Sequence, residues 1–502
     1  MKRSILGAGV AVLMAGVCLG ARAQEPQVFS DSIDVRVVNV ETVVTDKDGN
    51  LARGLGAGDF RLLVDGREVP IEFFSEISEG ASAKVAEGSA QPATPVAPGE
   101  VVGKSFLVFL DDSFSVANVR DEVLTRLEKD LALLGPKDEM AVVAFDGRKI
   151  DVLSPWTGDA AALAAVFQLA RKRPALGARF LAQSRSLEGD YDLLYMAAES
   201  AEIDVAQDRS YMDQRISPEL RTQLGRTATA AAGALRGFVP GSGRRVMLML
   251  SGAFSLSAGA HLFGPMIDAA NRIGYTIYPV DVAGSDIRAL SALNVLAQKT
   301  GGRLAVSAKA EVFRQVAADT SSYYWLGFTP AWKADDRSHR VSVEVRKPGH
   351  QARARAGFSD LSKKTETAMR AESVLLFGGV EEERRLLVFL GKPKMRGRRE
   401  MEVPVTLGVP VEALALSPKD KGYQAEAPLR VAAMDNEGGR SDLPGSQLRA
   451  TFKEVPKAGT YARFQLSFKL RNADQRLVFT VHDAIQGLAI WGEANVQPKP
   501  VR

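Results

Sequence analysis

The sequence is poor in cysteine and histidine and has no large excess of charge. Its 502 residues contain one cysteine and four histidines, which argues against a disulfide framework, a cysteine-rich zinc site and a histidine-based metal centre. The 64 basic and 60 acidic residues give a net charge of +4, which argues against a nucleic-acid binder or a polybasic membrane binder. After the N-terminal segment, no apolar run is long enough to predict a membrane span.

Motifs for catalysis are also missing. The sequence has no H-E-x-x-H motif and no G-x-S-x-G nucleophile elbow followed by a matching acid and histidine. The histidines lie in different predicted elements without a shared spacing, at His261, His339, His350 and His482. We therefore predict that the protein is not an enzyme.

The N-terminus has the layout of a signal peptide at residues 1–23. Lys2 and Arg3 precede a stretch rich in apolar and small residues, and Ala21-Arg22-Ala23 is a typical cleavage signal before Gln24. We predict cleavage at Ala23–Gln24 and a periplasmic or secreted mature chain with no transmembrane span. Retention of the segment as a single membrane anchor is the alternative.

The consequences of cleavage agree with that compartment. Cleavage removes three basic residues, so the net charge falls from +4 to +1. It also removes Cys18, which suits an oxidising environment where a stray thiol is a liability. A lipoprotein anchor through Cys18 fits less well, because Val17 stands where such signals have a small residue.

Residues 101–320 alternate short apolar runs with amphipathic stretches. Ser105–Leu110 is typical of a parallel strand buried on both faces, and Val119–Leu134 carries apolar residues at helical spacing. The other strands predicted here are Met140–Phe145, Ile150–Leu153, Arg245–Leu250, Tyr275–Val280 and Arg303–Val306. The other predicted helices are Ala160–Leu169, Tyr191–Glu202, Pro218–Phe238, Leu262–Ile273, Ala292–Lys299 and Glu311–Ala318. This alternation predicts a Rossmann-like α/β domain with an open, mostly parallel sheet.

Strand-rich sequence flanks the α/β region on both sides. Residues 31–78 are predicted to form a small β module, which a flexible Ala/Pro/Gly/Ser/Glu-rich linker at 79–100 joins to the α/β domain. A β extension is predicted at 321–360. A C-terminal antiparallel β-sandwich is predicted at 370–498, with its first strand at Val374–Phe377.

Oxygen-bearing side chains follow the first strand of the α/β region. Asp111-Asp112-Ser113-Phe114-Ser115 comes directly after Ser105–Leu110, at the strand end where open α/β sheets place their sites. The alternate residues Asp111, Ser113 and Ser115 could offer one carboxylate and two hydroxyls to a hard divalent cation such as Mg²⁺. The open position of such a metal could take an acidic side chain from a partner.

These residues, with several others in order, resemble a known family. The D-x-S-x-S stretch resembles the metal-ion-dependent adhesion site of the von Willebrand factor A fold. The ordered series is similar to a bacterial family of secreted proteins, known mainly from acidobacteria, called VWFA-related. The matching features over residues 31–360 are V-x-x-V-x-T-D-x-x-G near the start, D-F-R-L-L-V-D-G, Asp111-Asp112-Ser113, Lys299–Arg303, Tyr323–Phe328 with Pro330, and Arg353–Phe358. The resemblance implies binding of another macromolecule at the top face of the α/β domain.

The sequence departs from the metal site of that fold at two positions. Where the resemblance implies a threonine from a second loop, this chain has Glu188, and Asp190 follows shortly after. Where it implies an aspartate from a third loop, the chain has Ser251. A site with one sure carboxylate is expected to bind a divalent ion weakly, because affinity follows the charge of the ligands. The alternative is a structural turn, in which Ser113 or Ser115 caps the next helix and Asp111 accepts backbone N–H groups.

Three further features have a structural and a functional interpretation. Asp281, at the end of Tyr275–Val280, is either a site carboxylate or a loop cap. The aromatic cluster is either internal packing or an exposed recognition patch, and consists of Tyr323, Tyr324, Trp325, Phe328 and Trp332. The basic run Lys392–Arg399 is predicted to be an exposed loop rather than a nucleic-acid site.

Two functions follow from these observations. The first is a secreted or periplasmic protein of the adhesion type, which binds a protein or another extracytoplasmic macromolecule through a partly degenerate metal site. The second is a non-catalytic structural or envelope-assembly component in which the metal site is vestigial.

Overall fold

The structure, a computed structural model, describes residues 37–82, 100–180, 182, 217–238, 243–252, 260–284, 291–305, 311–332, 334–378, 383–419, 421–435, 440–483, 487 and 489–497. The predicted signal peptide and the predicted helix Tyr191–Glu202 lie outside the described residues, as do Glu188, Asp190 and most of the linker. Within the described residues, no helix combines the length and the apolar character needed to cross a bilayer.

The N-terminal strands are short. They are β1 (Val38–Thr45), β2 (Phe60–Val64), β3 (Arg67–Val69), β4 (Phe73–Ser78) and β5 (Ala81–Ser82). The turn after β1 is held by Asp46, whose Oδ1 accepts the N–H groups of Asp48 and Asn50, both at 2.9 Å. Strand β5 pairs with β4 and falls inside the predicted linker, so the flexible assignment was wrong at residues 81–82.

The α/β region forms an open, mostly parallel sheet, as the alternating pattern predicts. Its strands are β6 (Lys104–Asp111), β7 (Glu139–Phe145), β8 (Ile150–Thr157), β9 (Arg244–Ser251) and β10 (Tyr275–Asp281). Its described helices are α1 (Ala117–Lys129), α2 (Ala160–Arg171), α3 (Pro218–Gly237), α4 (Gly264–Ile273), α5 (Ser291–Thr300) and α6 (Val312–Asp319). The order is β10-β9-β6-β7-β8, with β8 antiparallel at the edge. This confirms a Rossmann-like sheet.

Strand β6 is buried on both faces, as its continuous apolar run predicts. Phe106, Val108 and Leu110 enter the core that contains α1, α2 and α6, whereas Leu107 and Phe109 enter the core that contains α3 and α4. Of the strand predicted at Arg303–Val306, Ala305 forms a single parallel bridge to Val280, and Val306 lies outside the described residues.

The segments on either side of the α/β domain together form one β-sandwich. Strands β11 (Tyr323–Phe328), β12 (Ser338–Val345), β13 (Gln351–Ala354) and β14 (Gly357–Ser359) follow the α/β domain in sequence. One sheet has the order β13-β1-β11-β4-β5 and the other β14-β12-β2-β3. In the first sheet Val40 pairs with Leu326, and in the second Leu62 pairs with Val343. The α/β domain is therefore inserted between two halves of a sandwich.

The aromatic cluster packs inside the protein, so the recognition-patch interpretation is not supported. Alternate residues of β11 point to opposite sides: Tyr324 and Phe328 enter the sandwich core, while Tyr323 and Trp325 pack on the other face. Trp332 stacks on His339, with ring centroids 4.7 Å apart.

The C-terminal region is a second β-sandwich preceded by a helix. Helix α7 (Lys363–Phe377) includes Val374–Phe377, so the strand predicted there was wrong. The strands are β15 (Leu387–Leu390), β16 (Lys394–Met395), β17 (Glu400–Pro410), β18 (Leu416–Lys419), β19 (Gly422–Asp435), β20 (Arg440–Asp442), β21 (Ser446–Phe452), β22 (Tyr461–Arg471), β23 (Gln475–His482) and β24 (Ala489–Val496). One sheet pairs β17 with β15, β16 and β22, and the other has the order β18-β19-β23-β24 with β20 and β21 on β19.

Helix α7 joins this sandwich to the α/β domain. Its Ser373 hydroxyl donates to the carbonyl of Gly237 at the end of α3, at 2.9 Å. On another face, Val374 and Leu375 pack against Val478 and Trp491 of the sandwich. The basic run Lys392–Arg399 is largely exposed, as predicted, but it contains strand β16 and the turn that leads to β17 instead of a loop alone.

Candidate functional site

The predicted site lies at the carboxyl end of β6, inside the α/β domain. Asp111 is the last residue of β6, and a short 3₁₀ turn over Asp112–Phe114 leads into α1. We call residues 111–115 the Asp111 loop. Asp111 and Ser115 have no exposed surface and Ser113 is 3% exposed, so the loop presents none of its three predicted ligands to solvent.

Groups from the protein interior occupy both oxygens of the Asp111 carboxylate. The Ser251 hydroxyl, at the end of β9, donates to Oδ2 at 2.7 Å. The backbone N–H of Ser113 donates to Oδ1 at 3.1 Å. The Thr227 hydroxyl of α3 lies beside the carboxylate and lowers its pKa, but it has no partner within normal hydrogen-bond geometry among the described residues.

Burial raises the pKa of the Asp111 carboxyl from 3.8 to about 7, because the ionised form loses its hydration. Ser251, Thr227 and the N–H of Ser113 oppose this rise, and the neighbouring charge of Asp112 adds to it. Asp111 therefore titrates near neutral pH instead of standing as a permanent negative charge.

The two serines of the motif also bond inward. Ser113 Oγ accepts a hydrogen bond from Gln223 Nε2 of α3 at 3.0 Å. Ser115 Oγ donates to the backbone carbonyl of Asp111 at 2.5 Å. Neither hydroxyl caps α1, whose N-cap is Val116 without a side-chain bond. The proposed role of Asp111 in accepting a backbone N–H is confirmed, while the proposed serine cap of α1 was wrong.

A segment from beyond α2 covers the loop. We call residues 173–180 the covering segment. The N–H of Leu176 donates to the carbonyl of Asp112 and that of Gly177 to the carbonyl of Ser115, both at 2.8 Å. A side chain at Gly177 would meet the backbone of Ser115 at less than 3.0 Å, so glycine permits this close approach. Phe180 packs on Phe114, with ring centroids 5.1 Å apart.

Charged groups fasten the covering segment to the loop. Asp112 is 1% exposed, and its Oδ2 lies 2.7 Å from Nε of Arg173. Nη2 of Arg173 also donates to Asp151 Oδ2 at 2.9 Å. Burial raises the pKa of Asp112, and Arg173 and Arg120 oppose the rise. Asp112, not Asp111, is therefore the carboxylate of this loop that pairs with cations.

Arg120 of α1 is the second cation in this network. Its side chain is 1% exposed and lies 3.7 Å from Asp112. Its guanidinium donates to the carbonyls of Pro174 at 3.0 Å and Arg171 at 3.1 Å, and to the carboxylate of Asp121 at 3.0 Å. One buried arginine thus ties α1, the end of α2 and the covering segment together.

Sequence reasoning missed Gln223, Thr227, Arg120 and Arg173. Gln223 and Thr227 could have been recognised as a pair, because they lie four residues apart on a predicted helix and therefore share one face. Burial of Arg120 could also have been predicted, because it lies three residues before Val123 and therefore on the apolar stripe of α1. Arg173 gave no signal, since it follows α2 in an irregular segment.

The other predicted site residues have structural roles. Ser251 contacts Asp111 directly instead of facing an open site. Asp281 is 2% exposed, pairs in register with Ser251 and accepts the N–H of Ala283 at 3.2 Å, which agrees with a loop cap. Among the described residues, no group of three or more acidic, histidine or cysteine side chains could hold a metal.

As arranged, these donors fit Mg²⁺ poorly. They comprise one carboxylate, which burial keeps partly protonated near neutral pH, and hydroxyls that already bond to the protein. Mg²⁺ requires a near-octahedral set of oxygens and several retained waters, whereas this loop is enclosed. The geometry suits an internal polar anchor better than a coordination site.

Comparisons with known proteins do not assign a family. No family model and no curated protein sequence matches the chain. Among solved structures, the TFIIH p34 N-terminal domain is 14% identical, with 44% of this chain and 97% of that chain covered and a TM-score of 0.24. The SpRpn10 VWA domain is 10% identical, with 41% and 88% covered and a TM-score of 0.22. A protein from Archaeoglobus fulgidus is 11% identical, with 23% and 97% covered and a TM-score of 0.14. Scores this low carry no argument about function.

Proposed function

We propose that this chain is a non-catalytic structural or assembly component that works outside the cytoplasm and binds other macromolecules without a metal. In this proposal the Asp111 loop is an internal brace of the α/β domain. The observation that carries it is the burial of Asp111 and Ser115, each with no exposed surface and with partners inside the protein. The predicted signal peptide supports the extracytoplasmic location, and the VWFA-related resemblance supports macromolecule binding.

The discontinuous sandwich supports an architectural role. The α/β domain enters and leaves through strands of one sandwich, and α7 contacts both α3 and the second sandwich. Such an arrangement holds the three folded units by several contacts rather than by one flexible linker. We infer that the chain acts as a stiff spacer that presents surfaces at fixed positions.

One observation favours metal-dependent adhesion as a second candidate. Among the described residues, the buried hydroxyl of Thr227 has no hydrogen-bond partner, and it lies beside the Asp111 carboxylate, to which the Ser251 hydroxyl donates. If the covering segment moved, these oxygens would offer a weak site to a divalent ion. This candidate requires opening of a closed structure.

Affinity capture with and without chelator separates the two candidates. The full chain is used as bait against envelope and secreted fractions, in Mg²⁺ or in EDTA, beside the Asp111→Asn variant. We expect the same bound proteins in all cases, because binding does not involve the Asp111 loop. Loss of the bound proteins both in EDTA and with Asp111→Asn would favour adhesion, and no specific capture in any condition would contradict the binding proposal.

A further inference from the structure

A small cavity lies where the first sandwich meets the α/β domain, at the opposite end of the parallel strands from the Asp111 loop. Its volume is about 30 Å³. The charged residues in its wall are Glu41, Arg244, Arg353 and Arg355. This volume admits one monatomic ion or roughly one or two waters.

Buried cations outnumber buried anions around this cavity. Arg244 is 1% exposed, packs over the ring of Tyr323 at 4.5 Å and lies 3.4 Å from Glu41 Oε2. Arg353 binds both carboxylate oxygens of Asp319, at 2.5 and 2.6 Å.

Arg355 forms an ion pair with no carboxylate among the described residues. It donates to the backbone carbonyls of Asn271 at 2.8 Å and Asn39 at 2.6 Å. Arg244, Arg353 and Arg355 therefore face two carboxylates, those of Glu41 and Asp319, and one positive charge is uncompensated. Burial lowers the pKa of Arg355 to about 10, because the charged guanidinium loses its hydration. Unpaired charge in a protein interior is strongly destabilising.

The arginines also leave donors unused. Nη1 of Arg244, Nε of Arg353 and Nε of Arg355 are buried and have no hydrogen-bond partner in the part of the chain that the structure describes. Buried donors in proteins almost always have a partner, which can be a bound ion or water. The neighbouring cleft of about 520 Å³ shares Arg355 and Glu41 with this cavity, so it offers a route from solvent.

We propose that the cavity binds a small monovalent anion, with chloride as the physiological ligand. The guanidinium N–H groups of Arg244, Arg353 and Arg355 donate to it. Water would satisfy some of these donors but would leave the excess positive charge uncompensated, which is why an anion is favoured. The anion thereby joins β9 of the α/β domain to β13 and the segment that follows it in the sandwich.

Thermal unfolding of the full chain tests this proposal. The melting temperature is followed as sodium chloride replaces sodium gluconate at constant ionic strength. We expect a rise of about 5 °C at ~100 times the dissociation constant, with a further rise in proportion to the logarithm of the chloride concentration, because a ligand that binds only the folded state stabilises it. Equal melting temperatures in the two salts would overturn the proposal.

Three variants sharpen the test. Arg355→Gln should abolish the chloride-dependent rise. Arg346→Gln, which removes an exposed arginine paired with Glu68, should retain it. Glu41→Gln removes the nearest carboxylate and should lower the chloride concentration at which the melting temperature begins to rise. Unchanged chloride dependence in both Arg355→Gln and Glu41→Gln would contradict the assignment.

Bromide provides a measurement on the wild-type protein in case Arg355→Gln fails to fold. Crystals are transferred to sodium bromide, and data are collected at the bromine absorption edge. An anomalous peak inside the cavity, within hydrogen-bond distance of the guanidinium groups, supports the proposal. Ordered water in the cavity without an anomalous peak overturns it.

Discussion

Replacing Arg120 by methionine should lower the free energy of unfolding by about 3–5 kcal/mol. The substitution keeps most of the volume of the side chain but removes its charge and its donors. The carbonyls of Arg171 and Pro174 would lose their bonds, and Asp112 would keep only Arg173 as a cation. Urea unfolding followed by circular dichroism measures the change.

Arg126→Met is the matched control for this prediction. Arg126 lies on the same helix, is about one-third exposed and forms an ion pair with Glu122. Exposed pairs of this kind contribute about 0–1 kcal/mol, so this variant should be nearly as stable as the wild type. Similar losses in the two variants would show that Arg120 acts through helix propensity or packing and not through the buried network.

Replacing Asp111 by asparagine should change how stability depends on pH. The folded-state pKa of Asp111 is about 7, above its ordinary value of 3.8, so the folded state holds this proton more tightly than the unfolded state. In the wild type, the stabilisation is therefore complete below about pH 4 and is lost as the pH rises through about 7. At ~1.4 kcal/mol per pH unit, the loss amounts to about 4 kcal/mol.

Asparagine lacks this titration and can still accept from the N–H of Ser113 while it donates to Ser251. We therefore expect Asp111→Asn to gain stability relative to the wild type by up to about 4 kcal/mol between pH 4 and pH 8. Unfolding free energies of both proteins across this range measure the difference. Parallel profiles would contradict the burial of an ionisable group at this position.

Local patterns predicted individual elements but not their long-range partners. The apolar run of β6 was sufficient to predict a buried strand, and the spacing of apolar residues in α1 was sufficient to predict a helix. Each pattern reflects the burial of a face within one element. The pairing of β1 with β11 was not predictable, since about 280 residues separate them and alternation does not specify a partner strand. The two flanking β segments therefore looked like separate units when they share two sheets.

The error at Val374–Phe377 has a physical reason. A run of four apolar residues does not distinguish a buried strand from the end of a buried helix. The residues before this run show that it is the end of a helix. Ser362 caps the helix by accepting the N–H of Thr365. Along one stripe of the helix, the buried residues are Thr367, Ala371 and Val374.

The position of the candidate site was predictable, but its enclosure was not. The strand end and the D-x-S-x-S spacing placed the oxygens of Asp111, Ser113 and Ser115 at the correct edge of the sheet. Burial depends on the covering segment and on Gln223, which come from about 60 and 110 residues farther along the chain. Residues outside a motif can therefore bury its side chains and block their access to solvent, even when the motif is complete in sequence.

Manganese binding tests the central claim, that the Asp111 loop is an internal brace, most directly. Mn²⁺ is titrated into the chelator-treated full chain, and free Mn²⁺ is counted by electron paramagnetic resonance. The account predicts that the wild type and Asp111→Asn bind the same amount up to millimolar Mn²⁺. Asp138→Asn removes a buried aspartate at the far edge of the sheet and is the control. One equivalent bound by the wild type and by Asp138→Asn, but not by Asp111→Asn, would contradict the account.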